Sequence, residues 1–202
     1  MNPILSWAPK ILSHRIRGII AFALVAAFMG VKASAQEVTL QVDPSQSSVK
    51  FTLGDVLHTV RGTFTAKSGA LRFDAATGKI SGSLVVDAKS GQSGSAIRDR
   101  KMNKEILESD RYPEIAFRPV LVEGAVEAGK FSAKVHGIFS IHGVEREITV
   151  PAEVDIEPSH WSANVHFTVP YEKWGMKNPS TLFLRVDNSV EIDLAVAGSV
   201  VR

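Results

Sequence analysis

The chain contains no cysteine. It therefore has no disulfide, no thiolate metal site, no cysteine nucleophile and no lipoprotein attachment point. It carries no acidic residue before Glu37 and no apolar run of about 20 residues, the length a membrane-crossing helix needs. No phosphate-binding glycine loop, G-x-S-x-G elbow or S-x-x-K pair occurs. No Pro/Gly/Ser linker divides the chain after its first residues, and strong charge of one sign is absent as well. Lys and Arg number 23 against 21 Asp and Glu, and setting aside Lys10, Arg15, Arg17 and Lys32 leaves 19 against 21. A near-neutral chain lacks the basic face that nucleic acid requires.

The first residues read as a segment separate from the fold. Lys10, Arg15 and Arg17 precede the apolar run Ile19–Gly30, and Ala33-Ser34-Ala35 follows. A basic start, a short apolar run and a small-x-small end form a secretory signal, here residues 1–35, with cleavage before Gln36. Arg15 and Arg17 are not adjacent, which argues against a twin-arginine signal. The expected mature domain is 36–202, exported to the periplasm, with no membrane span and enough chain for one sizeable core.

Within that domain the dominant signal is alternation. Phe131, Ala133, Val135, Gly137, Phe139 and Ile141 fall on one face. After a turn at His142-Gly143, the alternation resumes with Ile148, Val150, Ala152, Val154 and Ile156. Period two means strand, and two such runs joined by a short Gly-containing turn make a hairpin. Similar runs lie around Leu40, Phe51, Val60–Phe64, Leu71–Phe73, Ile80–Val86, Ile115–Phe117, Val120–Val122, Trp161–Val169 and Val190–Val196. Turns are expected near Asp43-Pro44-Ser45, Lys67-Ser68-Gly69, Ala75–Gly78 and Glu127-Ala128-Gly129. Ser90–Ser95 reads as a flexible loop. Ala96–Glu108 reads as one short helix, with Ser95 as N-cap and Met102 and Ile106 on one face. The fold class is all-β, with roughly eight strands and one short helical insertion. Closure into an antiparallel barrel removes exposed edges.

A barrel of eight strands has an interior that side chains fill or that holds one small ligand. Small residues on the inner face (Gly62, Gly82, Ala133, Gly137, Ala152, Ala163) leave space between large ones. The candidate lining is Phe51, Phe64, Phe73, Phe117, Val135, Phe139, Trp161 and Phe167. Tapered core packing gives the same pattern and stays open beside it. The outward residues Lys50, Thr52, Arg61, Thr63, Lys134, His136, Glu147, Glu153 and Asp155 are polar, which argues against an outer-membrane barrel. Tyr171, Trp174 and Met176 fall in a stretch that leaves the sheet, where Trp174 either plugs a barrel end or packs under a loop.

Catalytic patterns are thin. His136 and His142 stand six apart, as do His160 and His166, and an even spacing places each pair on one face. Without a third ligand neither pair makes a metal site, and a metal-dependent enzyme using His136 and His142 is the weaker alternative. Asp55 with His58 lacks a nucleophile. No cofactor is expected.

Several stretches, taken in order, carry a family resemblance: VDPSQSSVKFT (Val42–Thr52), VRGTFTAKSGALRFD (Val60–Asp74), YPEIAFRP (Tyr112–Pro119), GIFSIHGVEREITVP (Gly137–Pro151) and NSVEIDLAV (Asn188–Val196). In these the chain resembles the YceI-like, polyisoprenoid-binding family of bacterial periplasmic proteins. It departs from the commoner pattern at LGDVLHTVRGTF (Leu53–Phe64) and between Asp87 and Tyr112. The resemblance implies a lipocalin-like barrel with a helical insertion, holding an isoprenoid or other amphiphile, and no catalysis. Arg98 and Arg111, with Arg100 and Lys101 beside them, are the head-group candidates; a solvated helix face is the plainer reading of the same charges. Transport, storage and sequestration leave the same sequence, and a non-binding structural barrel remains the other reading. A homodimer is compatible with an apolar edge or mouth, and the pattern does not decide it.

Overall fold

The computed structural model describes residues 37–54, 59–124, 129–180 and 185–201. The segment 1–35 expected as a signal, the Asp55–His58 pair and the Glu127-Ala128 half of one expected turn lie outside them. No helix among the described residues is long and apolar enough to cross a membrane.

The strands are β1 (Glu37–Val42), β2 (Ser48–Gly54), β3 (Thr59–Asp74), β4 (Ile80–Gln92), β5 (Glu114–Glu123), β6 (Gly129–Ile141), β7 (Val144–Ile156), β8 (His160–Val169) and β9 (Val190–Val201). All pair antiparallel. The ladder runs β2-β9-β8-β7-β6-β5-β4-β3 and returns to β2, a closed ring of eight positions. The ninth strand adds no further position. β2 pairs with the early half of β3 and of β9, whereas β1 pairs with Ala70–Asp74 of β3 and Gly198–Val201 of β9. Together β1 and β2 form one long strand broken at Asp43. There the Asp43 carboxylate accepts from Ser45 N (2.9 Å), Ser45 Oγ (2.7 Å) and Gln46 Nε2 (2.7 Å), holding a single 3-10 turn, Pro44–Gln46.

Three expected breaks are not breaks. The turn near Lys67-Ser68-Gly69 is a pair of register shifts, at Thr63/Thr65 and Ala66/Ser68, inside the continuous β3. The gap at Pro119 is another shift within β5. A bulge bends a strand without ending it, so the alternation slips by one residue and imitates a turn. Ser90–Gln92 also belongs to β4, fixed by Ser90 Oγ, which donates to Asp87 O (2.6 Å) and accepts from Thr65 N (2.8 Å). Gly82, expected inward, is exposed and holds φ 107°, a backbone position that favours glycine.

The helical insertion begins with α1 (Ala96–Lys101) and continues as a π turn over Met102–Ile106. Ser95 occupies the N-cap position but makes no side-chain cap bond. Asp99 turns back instead. Its Oδ1 accepts from Ser93 N (2.8 Å) and from Ser93 Oγ, and Arg98 donates to Ser93 Oγ (2.8 Å) and Ser93 O (2.7 Å). These bonds tie the start of the insertion to the end of β4.

Two apolar cores occupy opposite ends of the ring. One joins Leu40, Val42, Leu71, Phe73, Trp161, Ala163 and Val196; the other joins Leu107, Phe139, Ile141, Val169, Tyr171, Trp174 and Met176, under the insertion and the β8–β9 connection. The first is fixed by the Trp161 indole, which donates to Gln41 O at 3.1 Å.

Candidate functional site

Between the two cores lies a cavity of about 670 Å³. That is within the range of small-molecule sites, which runs from about 300 to 1,000 Å³. Its wall comes from the inward positions of every strand. Phe51, Phe64, Phe73, Phe117, Val135, Phe139, Trp161 and Phe167 all line it. Glycines make room for two of these rings. Phe51 lies over Gly62, its cross-strand partner. Phe117 lies over Gly137, where a Cβ would come within 2.6 Å of the ring. A glycine opposite an aromatic lets the ring lie flat along the wall rather than project into the lumen.

The polar lining is sparse. It comprises Ser47 and Ser68 on the wall, and Ser93, Ser95, Arg98 and Lys101 beside the insertion. Ile97, Arg98 and Lys101 are exposed and also line the cavity, so the interior meets solvent alongside α1. Pro179 and Val186 of the β8–β9 connection line it as well. Met102 and Ile106 close over it from the insertion, on the shared face their spacing predicts.

The head-group candidates separate. Arg98 stands at this mouth, with its Nε and Nη2 committed to Ser93. Arg111 lines no part of the cavity; its guanidinium stacks over the Tyr112 ring at 5.0 Å. The chain reverses between the two, because Glu108, with φ 45°, turns the end of the insertion toward the β6–β7 hairpin. Spacing along a helix gave no sign of that reversal.

The histidines also separate. His136 points outward, with Nδ1 2.8 Å from Thr149 Oγ1 and Nε2 3.1 Å from Glu123 Oε2. His142 occupies the hairpin turn, with φ 54° followed by φ 72° at Gly143, and its Nδ1 donates to Trp174 O at 3.2 Å. Six extended residues separate the pair by about 20 Å, too far to share one ion. His160 meets Ser159 Oγ and His166 meets Asp193 Oδ1, each at 2.8 Å. No group of three His, Asp or Glu side chains that could hold a metal occurs among the described residues.

One element of the wall was not visible in the sequence. β6 pairs with β7 along its whole length and β8 with β9 likewise, but β7 pairs with β8 only from Ala152–Ile156 to Trp161–Val165. Pro151, which has no N–H to donate, stands where that ladder stops. Beyond it the strands part. A groove on the outer side of this split, lined by Arg146, Thr149, Thr168, Lys173 and Trp174, shares Phe139, Ile148, Val150, Phe167 and Val169 with the cavity. The buried Trp174 lines the groove and not the cavity, so it stands as the stopper between them. Arg146 holds it there, donating from Nε to Lys173 O at 2.8 Å and lying 5.7 Å over its ring. Trp174 thus blocks the side of the ring, while Tyr171 and Met176 beside it face the cavity at its end.

Comparison with known proteins agrees with this architecture. The YceI-like domain matches residues 40–197. The chain belongs to the YceI-like domain family. UPF0312 protein VPA0850 of Vibrio parahaemolyticus is 27% identical over 134 residues, 64% of this chain and 68% of that protein. A UPF0312 protein of Vibrio campbellii gives the same identity over the same shares. Among solved structures, Burkholderia cenocepacia BcnA superposes with a TM-score of 0.64 at 18% identity, covering 78% of this chain and 99% of BcnA. A polyisoprenoid-binding domain from Saccharophagus degradans, implicated in plant cell wall breakdown, superposes with a TM-score of 0.61 at 15% identity, over 78% and 95% of the two chains. Campylobacter jejuni YceI gives 0.56 at 16% identity, over 71% and 86%. At these identities the likeness is one of fold. The interior of this YceI-like chain is mostly apolar, with Ser47 and Ser68 the serines on its wall away from the insertion.

Proposed function

We propose that this YceI-like protein is a binding protein that holds the tail of a polyisoprenoid or similar amphiphilic lipid in the cavity, and that it works in the periplasm after export. The observation that carries the reading is the cavity of about 670 Å³ with polar side chains gathered mainly at one mouth. A prenyl tail needs no charged partner along its length, and each buried CH₂ contributes about 0.8 kcal/mol. A few five-carbon units therefore offset an ordering and association cost of roughly 4–15 kcal/mol. The related fold of a domain described as polyisoprenoid-binding supports the same ligand class. Arg98 at the mouth suits an anionic or polar head group. No histidine or carboxylate lines the cavity among the described residues, and no group of three metal-ligating side chains occurs among them; such a lining suits binding.

The test is native purification from a bacterial periplasm, followed by solvent extraction and mass spectrometry. A co-purifying prenyl lipid in stoichiometric amount is expected, together with a mature N-terminus at Gln36. A protein that carries no lipid and takes up no prenyl probe when offered one would sink the carrier reading and leave a structural barrel.

A further inference from the structure

One side of α1 has a character that tail binding uses only in part: Ile97 and Lys101 reach the cavity mouth, whereas Arg100 and Lys104 do not line it. Arg100 and Lys101 stand three and four residues after Ile97, and Lys104 stands seven after it, a spacing that places the four along one side of the insertion. All four are exposed. Ile97, at 79% exposure, is more exposed than Val120 (52%) and Val201 (54%), the other large apolar residues left open among the described residues. Among the described residues, Arg100, Lys101 and Lys104 enter no ion pair. Most acidic groups of the same insertion are engaged elsewhere: Asp99 with Ser93, Glu108 facing His142 at 3.6 Å, and Asp110 with Lys89 at 2.6 Å. Glu105 is left as the local countercharge. Two further exposed cations, Lys177 and Arg185, belong to the β8–β9 connection that contributes Pro179 and Val186 to the cavity, with Asp187 nearby. The opposite rim is different. Glu37, Asp74, Glu123, Asp155 and Glu157 outnumber Arg72, Lys79, Lys130 and Lys134 there.

We propose that the insertion side of the ring docks on the surface of a bilayer containing anionic lipids, with Ile97 entering the interface and Arg100, Lys101 and Lys104 against the head groups. The proposal rests on the carrier reading for its purpose. A tail that water excludes has to pass between protein and membrane at close range, and the side that docks is the side on which the cavity opens. An amphipathic patch with one apolar side chain and several cations gives weak, reversible adhesion, as a shuttling carrier needs. The acidic far rim is repelled by the same surface, which fixes the orientation.

The experiment is vesicle co-sedimentation of the full-length mature protein, on phosphatidylcholine and on equimolar phosphatidylcholine and phosphatidylglycerol. Uptake of a fluorescent prenyl probe is measured in parallel without vesicles. The wild type is expected to bind the anionic vesicles, to ignore the neutral ones and to be released by high salt. The variant Arg100→Glu with Lys104→Glu changes two side chains that do not themselves line the cavity. It is expected to lose at least about fivefold in vesicle affinity per cation removed and to take up the probe as the wild type does. A far-rim control, Lys79→Glu with Lys130→Glu, is expected to bind vesicles like the wild type.

Wild type that takes up the probe but ignores anionic vesicles overturns the docking proposal and leaves the carrier reading standing. Docking without probe uptake overturns the carrier reading instead. An equal loss in the far-rim control shows adhesion by net charge alone and overturns the assignment to this side. Self-association that the Arg100/Lys104 variant abolishes, with no vesicle binding, assigns the patch to a second copy of the chain and overturns the membrane as its partner.

Discussion

The indole of Trp174 meets the ring of Phe139 edge-on, with centroids 5.7 Å apart and planes at 78°. Phe139 in turn meets Phe167 at 5.7 Å and 82°. Three aromatics from the β8–β9 connection, β6 and β8 thus bridge the place where β7 and β8 part. In a sheet the wall is closed by ladder hydrogen bonds; over this stretch it is closed by side chains. Side-chain closure opens at lower cost than an unbroken ladder.

Trp174→Ala is therefore expected to lower stability by about 3–5 kcal/mol, the usual range for removing a buried Trp. It is also expected to speed release of a bound prenyl probe while the ring stays folded. Thermal denaturation and stopped-flow release measure the two effects. Trp174→Phe should recover most of both. Unchanged release in a folded Trp174→Ala protein would show that the split is not a route.

Filling the lumen separates binding from folding. Val135 and Val150 are cross-strand partners, and both line the cavity. Val135→Phe combined with Val150→Phe places two rings in existing space instead of a packed core, so the melting temperature is expected to hold or rise. Probe uptake should fall at least tenfold. Uptake at the wild-type level would place the tail elsewhere.

Gly137 has no room for a side chain. A Cβ there would lie 2.6 Å from Phe117 Cζ and 2.6 Å from Arg118 O. Gly137→Ala is expected to cost about 1–3 kcal/mol through overpacking, read from the midpoint of urea unfolding. Adding Phe117→Leu should restore part of that loss, because the ring is half of the clash.

Tyr171 gives the protein an alkaline limit. Its hydroxyl donates to Asp187 O at 2.6 Å. Burial first, then the neighbouring charges of Glu172 and Asp187, push its phenol up to about 12. An unfolded tyrosine titrates near 10. Between these values the unfolded chain holds fewer protons than the folded one, so stability is full below about pH 10 and falls as pH rises toward 12. Tyr171→Phe should remove this alkaline slope. At neutral pH it should cost about 1 kcal/mol for the lost hydrogen bond. Denaturant titrations at neutral and alkaline pH compare the two proteins.

Alternation of apolar residues made most of the ring legible from the sequence, because a half-buried strand repeats every second residue wherever it pairs. The β6–β7 hairpin around His142-Gly143 is the clearest case: its alternating residues pair without a slip from Ile141 with Val144 to Gly129 with Ile156. The eight lining positions were readable for the same reason. Alternation does not report register against the neighbouring strand. The slip in β3 therefore looked like a turn and the slip in β5 like a gap between two runs, and the short β7–β8 ladder left no mark except Pro151. Nor does charge along the insertion tell which cation faces the lumen. Arg98 and Arg111 looked equivalent until the left-handed backbone at Glu108 sent them to different places.

The interrupted stave made of β1 and β2 reaches into both apolar cores, one on each side of its kink. Leu40 and Val42 belong to the apolar core at one rim, whereas Leu53, beyond the 3-10 kink, packs with the other. Slow amide exchange at one rim thus need not imply slow exchange at the other, and the insertion end can breathe while β1 stays clamped between β3 and β9.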